Sequence, residues 1–487
     1  MTNTLSSRDA LASVPTELLI DGRWQPAEDD KRLTVLDPAT ELPLCEVADA
    51  SPADGMRALA AADAAREAWA AHPPRARGEI LTRTFEALLA REHELALLMT
   101  LEMGKPLAES RGEVRYAAEF FRWFAEEAVR IDGGYATAPD GSGRILVARQ
   151  PVGPCLLITP WNFPSAMAAR KIGPAVAAGC TMVLKPASNT PLSALALAAI
   201  MTDAGLPDGV LNVVTTSSSS ALMGPLIRDP RARKLSFTGS TAVGRQLIRE
   251  SADQVLRVSM ELGGNAPFLV FEDAALDAAV EGAMLAKLRN NGEACTAANR
   301  FYVHERVAAE FTDRLAKRFD ALRLGHGADD ADLGPLIDAA QRDAVVELVD
   351  DAVACGAQVA TAARTLPDRG FFHPPVVLTE VPDTARVMQE EIFGPVAPIQ
   401  AFSDEDAAVA AANRTQDGLV GYVFTRDLDR ALRVSERLQT GMVGLNRGIV
   451  STPAAPFGGI KHSGVGREGG REGIAEYLET KYVALRA

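Results

Sequence analysis

The stretch CLLITPWNFPSAMAARKIGPAVAAGCTMVLKP, residues 155–186, sets an apolar run, a helical run and a second apolar run in succession. CLLITP (155–160) and TMVLKP (181–186) are apolar throughout rather than alternating, the pattern of strands covered on both faces. SAMAARKIGPAVAAG between them has helical texture. The rhythm continues outward through VLNVVT (210–215), KLSFTG (234–239) and VLRVSMEL (255–262). These candidate strands are separated by PLSALALAAIMTDAG, a serine-capped stretch near 217–228, and TAVGRQLIRESAD. Such alternation predicts an α/β fold with a parallel sheet between helical layers. Right-handed crossovers then bring the C-terminal ends of the strands to one edge, where ligands of such sheets bind.

On the N-terminal side, residues 51–130 read as helices. The first opens with Ser51 and Pro52 at cap and first-turn positions, and two more follow around 76–103 and 109–130. RILVARQPVG (144–153) begins a different texture. On the C-terminal side a second α/β pattern runs from about 265 to 445, with helices near 276–290, 305–322 and 339–355. Gly/Pro-rich turns close the chain around PFGGIKHSGVGREGG, and the strand-like YVALRA at the end has no evident partner nearby.

Composition narrows the function classes. A chain of 487 residues suggests two or three packing units, and 47% apolar with 23% charged residues is ordinary for a globular protein. The net charge of −14, with no Lys/Arg-rich run, argues against nucleic acid as a partner. No apolar stretch is long enough for a bilayer, and the N-terminus lacks the basic start and apolar segment of a secretory signal. Five cysteines (45, 155, 180, 295 and 355) are scattered, odd in number and never in CxxC spacing. That pattern fits a reducing compartment, with neither a disulfide framework nor a thiolate metal site. The six histidines are equally dispersed, so no metal is expected, and the reading is cytoplasmic.

Polar and glycine signals gather at the strand ends. After KLSFT, Gly239, Ser240 and Gly244 sit where a strand turns into a helix, a place where N–H groups and the helix dipole can meet a pyrophosphate. An ordinary strand-to-helix turn explains them equally. KPAS puts Lys185 and Ser188 at the same edge, where a solvated surface turn is the plain alternative. PWNFP restrains Trp161, Asn162 and Phe163 between two prolines; a packed Trp in a turn accounts for everything but the asparagine. MELGG ends a strand with Glu261, a carboxylate that must be paired, solvated, used, or serving as a cap. In NNGEACTAANR (290–300) Cys295 follows the helix AVEGAMLAKLRNNG, and taken alone a free cysteine is a small buried hydrophobe. Together, a thiol, a carboxylate base, an amide donor and a dinucleotide edge form a complete set for oxidising an aldehyde through a thioester.

PWNFP, KPAS, FTGSTAVGR, MELGGNAP, NNGEACTAANR, EEIFGPV (390–396) and PFGG (456–459) occur in this order across nearly the whole chain. In this the sequence resembles the aldehyde dehydrogenase superfamily. The resemblance implies a discontinuous dinucleotide-binding domain (1–130 and 150–260), a catalytic domain (261–460) and a β-strand oligomerisation arm (131–149 and 470–487), in a homodimer or homotetramer. It implies that Cys295 is the nucleophile, that Asn162 and the Cys295 N–H hold the oxyanion, and that Glu261 activates water. Trp161, Lys185, Ser188, Gly239, Ser240, Gly244, Glu391 and Phe393 would bind the cofactor, Lys185 at the adenosine ribose, Glu391 and Phe393 at the nicotinamide ribose. Many NAD-preferring relatives carry Glu at the Ser188 position. A carboxylate there repels a 2′-phosphate that a hydroxyl can accommodate, so the expected cofactor is NADP or NAD, with NADP favoured.

WNFPSAMAARK, KLRNNGEAC and GLNRGIVSTPAAPFGGIKHSGVGREGG resemble, within the superfamily, the succinate-semialdehyde dehydrogenases. The resemblance implies that Arg170, Arg289 and Ser451 hold the distal carboxylate of a small semialdehyde. Guanidinium forks suit such a carboxylate, whereas an alkyl aldehyde wants an apolar tunnel. Glutarate or 2-oxoglutarate semialdehyde would meet the same clamp. A non-catalytic scaffold retaining the fold would lack the need for Cys295, Glu261 and Asn162, and all three are intact. Two positions depart from the pattern. Ala297 stands where some members have a second cysteine able to form a regulatory disulfide, and Glu293 where many relatives have Gln.

Overall fold

The computed structural model describes residues 6–486, so the ends of the chain, including Ala487 of YVALRA, lie outside the described residues. The strand–helix alternation at 155–262 folds into one sheet. Its parallel centre is ordered Leu211–Val213, Met182–Lys185, Cys155–Ile158, Lys234–Thr238, Arg257–Glu261. Antiparallel edges are added by Leu18–Ile20 with Arg23–Gln25 on one side and by Gly464–Val465 on the other. None of these edge strands is evident in the sequence pattern, because two- and three-residue strands carry no periodicity to detect.

The stretch SAMAARKIGPAVAAG becomes the helix Pro164–Ala178, with proline in its first turn and Gly179 in the left-handed conformation after its end. Every residue of this helix is buried, which explains why its sequence shows no polar face. Its neighbour Leu107–Glu127 packs Phe120, Phe121 and Phe124 into the same core, and each buried ring contributes roughly 1.5–3 kcal/mol. The helical run expected over 76–103 is divided. Helices Pro74–Ala90 and Glu92–Met103 meet at Arg91, whose φ/ψ of −104°/17° leaves the helical well.

The second α/β pattern gives a seven-stranded sheet centred on Ala266–Val270, Ala298–His304, Val396–Phe402 and Val420–Phe424, all parallel. Its helices are Leu276–Leu288, Glu305–Asp320 and Ala339–Ala354. A third, three-stranded antiparallel sheet joins Gly134–Thr137, Gly143–Pro151 and Leu478–Arg486. YVALRA thus finds its partner more than 300 residues away, with Tyr482 opposite Val147. Among the described residues no helix is long and apolar enough to cross a membrane.

Candidate active site

The chain passes from the first sheet to the second in four residues. Glu261 is the last residue of strand Arg257–Glu261, and Ala266 opens strand Ala266–Val270. Between them, Gly264 lies so close to Cys295 that a Cβ would sit 2.6 Å from the Cys295 carbonyl oxygen. The register Lys185–Ile158–Phe237–Met260 aligns four strand ends across the first sheet, with Thr238 opposite Glu261. The C-terminal edge of one sheet therefore meets the loop leading into the other, and the polar residues of the sequence motifs gather at that junction.

Cys295 lies against that loop, on the segment between helix Leu276–Leu288 and strand Ala298–His304. The helix before it stops at Leu288, short of the NNG that sequence texture includes in it. Asn290, Asn291 and Gly292 all have positive φ (58°, 58° and 83°), a run of left-handed residues that asparagine and glycine tolerate best. Side chains hold this turn. Asn290 Nδ2 donates to the Glu293 carbonyl at 2.9 Å, and Asn291 spans Pro335 O at 2.8 Å and Gly334 N at 2.9 Å. Asn162 Nδ2 donates to the same Glu293 carbonyl at 3.0 Å, leaving its second N–H available. The Cys295 N–H has no acceptor among the described residues. These are the two donors expected at an oxyanion. Glu293 is wholly buried and accepts from Ile337 N at 3.0 Å, and burial pushes its carboxyl well above the ordinary range. That shift favours the protonated acid, which is close in shape and polarity to a glutamine side chain.

The electrostatics of the pair are set by burial. Desolvation pushes the Cys295 thiol up to about 12, against the pull of Arg170. Glu261 is 3% exposed, and desolvation, reinforced by Glu468, raises it well above the carboxylate range while Arg170, Lys171 and Arg467 oppose the shift. PFGG closes over it: a Cβ on Gly458 would lie 2.9 Å from Glu261 Oε1.

A cleft of about 340 Å³ reaches this pair, lined by Trp161, Asn162, Ser240, Glu261, Cys295 and Phe393 among others. Trp161 and Phe393 meet edge to face at 5.4 Å, and Gln341 Nε2 fixes the Phe393 carbonyl at 2.9 Å. Glu391 accepts from Gly264 N at 3.2 Å, and burial lifts it to about 8. Gly239 lines the cleft too. Gly244 does not: it is packed against Leu262, where a Cβ would approach to 2.4 Å. Lys185 and Ser188 also lie outside the lining of this cleft. Lys185 is 5% exposed, donates to Ser219 Oγ at 2.9 Å, and is pulled down to about 8 by desolvation with no carboxylate to offset it. A desolvated cation among hydroxyls suits an anionic or diol group of a nucleotide. The cleft, the glycine approach and this cation fit a dinucleotide.

Arg170, Arg289 and Ser451 come together outside the residues that line this cleft. Arg289 donates to Ser451 Oγ at 3.3 Å, and both arginines act electrostatically on Cys295. Arg170 is 1% exposed, lies 4.5 Å over the Phe457 ring, and is ion-paired with Glu468, which also binds Lys171. Arg170 Nη2 remains buried without a hydrogen-bond partner. Sequence reading missed Tyr116. Its ring lies under Arg289 at 5.8 Å, and its buried hydroxyl, close to Ser451, also lacks a partner. Tyr116 comes from a helix of ordinary amphipathic sequence, with no local signal to single it out. Among the described residues no cluster of His, Cys, Asp or Glu could hold a metal.

Comparison with known proteins agrees with this arrangement. The aldehyde dehydrogenase family model matches residues 24–483. The chain is 57% identical to a succinate-semialdehyde dehydrogenase of Paenarthrobacter nicotinovorans over 443 residues, 91% of this chain and 98% of that one. It is 49% identical to a glutarate-semialdehyde dehydrogenase of Pseudomonas aeruginosa, covering 96% of each. The crystal structure of an E. coli NADP-dependent enzyme superposes with a TM-score of 0.96 at 47% identity, over 97% of this chain and 98% of that one. With a thiol, a carboxyl and an amide brought to one sheet junction beside a dinucleotide cleft, the chain belongs to the aldehyde dehydrogenase family.

Proposed function

We propose that this enzyme oxidises succinate semialdehyde to succinate, with NADP preferred over NAD. The observation that carries the substrate is the Arg170–Arg289–Ser451–Tyr116 group beside Cys295, where buried donors outnumber acceptors. A carboxylate supplies the missing acceptors, and charge-assisted bonds to guanidinium groups are the strong ones. The names of the relatives point the same way.

Cys295 Sγ attacks the aldehyde carbon and its proton passes to Glu261, while Asn162 Nδ2 and the Cys295 N–H receive the developing oxyanion. A nicotinamide cofactor held in the cleft would supply the hydride acceptor for the tetrahedral carbon. Trp161, Phe393 and Glu391 line the cleft and would hold its ring and ribose. Glu261, once it has released the thiol's proton to solvent, takes a proton from water; the resulting hydroxide displaces the Cys295 thiolate from the acyl group, and the acid leaves. The distal carboxylate of the substrate is fixed by the arginine pair, which positions the aldehyde carbon at the sulfur.

Initial rates with succinate semialdehyde, glutarate semialdehyde and butyraldehyde test the substrate. Arg289→Met should lower kcat/KM for succinate semialdehyde roughly 10²–10³-fold, the value of a charge-assisted bond or two, and leave butyraldehyde within about threefold. Equal losses on both would remove the clamp. Glutarate semialdehyde is the second reading, favoured by the Pseudomonas relative, and one methylene is worth only about 1–3 kcal/mol. For the cofactor, Ser188→Glu should lower kcat/KM for NADP by about 10²-fold and that for NAD by less than about threefold, through repulsion of the 2′-phosphate. Comparable losses on the two cofactors would place the phosphate elsewhere.

The three-stranded arm leaves Gly134–Thr137 as an open edge with Tyr135 exposed, which supports a homodimer or homotetramer built by strand pairing. The five unpaired cysteines support a cytoplasmic enzyme.

A further inference from the structure

Lys105 and Glu113 are each 1% exposed in their side chains and pair at 2.5 Å, at positions distant in sequence from the motifs that the reaction names. Replacing such a buried pair with apolar groups is often neutral or stabilising, so fold stability alone does not account for it. Its remaining bonds all go to one place. Lys105 Nζ donates to the Asn162 carbonyl at 2.7 Å and lies 4.4 Å over the Phe163 ring. Glu113 Oε1 accepts from Ser165 N at 2.9 Å and Ala166 N at 3.0 Å. Helix Pro164–Ala178 has no side-chain cap of its own at Phe163, so Glu113 satisfies its first-turn donors from a separate helix. The pair therefore fixes the chain at Asn162 and just after it, where PWNFP runs into the helix. Lys105 is itself placed by Gly104, the left-handed residue that ends helix Glu92–Met103 and abuts Pro335.

We infer that the Lys105–Glu113 pair is a positioning device for Asn162, fixing its backbone so that one amide N–H stays on Glu293 O and the other faces the oxyanion. The inference rests on the proposed role of Asn162. Both residues act through Asn162 and touch neither substrate nor cofactor. A misplacement of about 1 Å in such a donor can lower a rate 10²-fold.

The test is a cycle between Asn162→Ala and the paired variant Lys105→Met/Glu113→Gln, which leaves no lone buried charge. The paired variant should lose roughly 10–100-fold in kcat with KM for aldehyde and cofactor within about threefold. Inactivation by iodoacetamide, which needs the Cys295 thiol but no oxyanion site, should stay within about twofold. In the Asn162→Ala background the paired change should cost no more than a further threefold or so. Multiplicative losses there, or wild-type kcat in the paired variant alone, would overturn the inference. A wild-type kcat in Asn162→Ala alone would instead sink the oxyanion reading beneath it. Should the paired variant not fold, Lys105→Arg keeps the charge but presents a planar fork, and the same non-additivity with Asn162→Ala is expected. Multiplicative loss or full kcat for that variant is equally decisive against it.

Discussion

Cys295→Ala should reduce kcat by about 10⁴-fold or more, with residual turnover too slow to separate from the uncatalysed reaction. No second thiol can take over. Cys155 and Cys180 are wholly buried in the sheet core, and Cys45 and Cys355 lie outside the cleft. The variant should fold normally, because the half-buried Cys295 is held by the backbone turn at Asn290–Gly292 rather than by its sulfur, and a small truncation there costs less than about 1 kcal/mol. Thermal unfolding beside steady-state rates separates the two effects. The thiol's elevated pKa adds a second signature. With the free enzyme's thiol pushed up to about 12, the thiolate fraction is small at neutral pH and grows tenfold per unit. Alkylation of wild-type enzyme by iodoacetamide, followed as loss of activity, should therefore climb through pH 9 without a plateau. A variant retaining a tenth of wild-type turnover would move the covalent step to another residue.

The parts of this site that were legible in the sequence share one property: they lie on short segments whose local form is dictated by their own residues. Asn162 stands between two prolines, Glu261 ends an apolar strand at a Gly-Gly step, and Cys295 follows a run that only asparagine and glycine adopt easily. The same holds for the first sheet, where continuous apolar strands alternate with helices from 155 to 262. What stayed hidden is the second layer. Lys105, Glu113 and Tyr116 belong to helix ends and faces whose composition is that of any amphipathic helix. Their purpose appears only when helix Leu107–Glu127 packs on helix Pro164–Ala178. Glu468 is the extreme case, reaching Arg170 and Lys171 from nearly 300 positions away. The helix end at Leu288 was misjudged for a related reason: Arg289–Gly292 keeps helix-forming neighbours while the bonds of Asn290 and Asn291 to Glu293, Pro335 and Gly334 pull the chain out of the helix.

That second layer also decides how the base behaves. Glu261→Gln should lower kcat roughly 10²–10⁴-fold while leaving the fold intact. The substitution keeps the shape of the side chain and removes the basic oxygen, while desolvation and Glu468 raise the wild-type Glu261 pKa above the usual carboxylate range. The sign of the pH effect follows. Only the ionised carboxylate can take a proton from water, and its fraction grows as pH rises toward the elevated pKa. Wild-type kcat should therefore increase with pH from the acid side and level off above that pKa, and the limb should vanish in Glu261→Gln. Arg170, Lys171 and Arg467 pull this pKa down while Glu468 pushes it up, so Glu468→Gln should shift the limb to lower pH. Rapid mixing locates the step. If Glu261 serves mainly in hydrolysis, the Gln variant still yields about one reduced cofactor per Cys295 in a burst, then stalls as the acyl-enzyme. If the burst is lost as well, Glu261 is also required to take the thiol proton, which a thiol held near 12 makes chemically reasonable. A variant with full kcat and an unchanged limb would exclude Glu261 from both steps and turn attention to Glu391, which also acts electrostatically on Cys295 and whose Oε1 already accepts from Gly264 N.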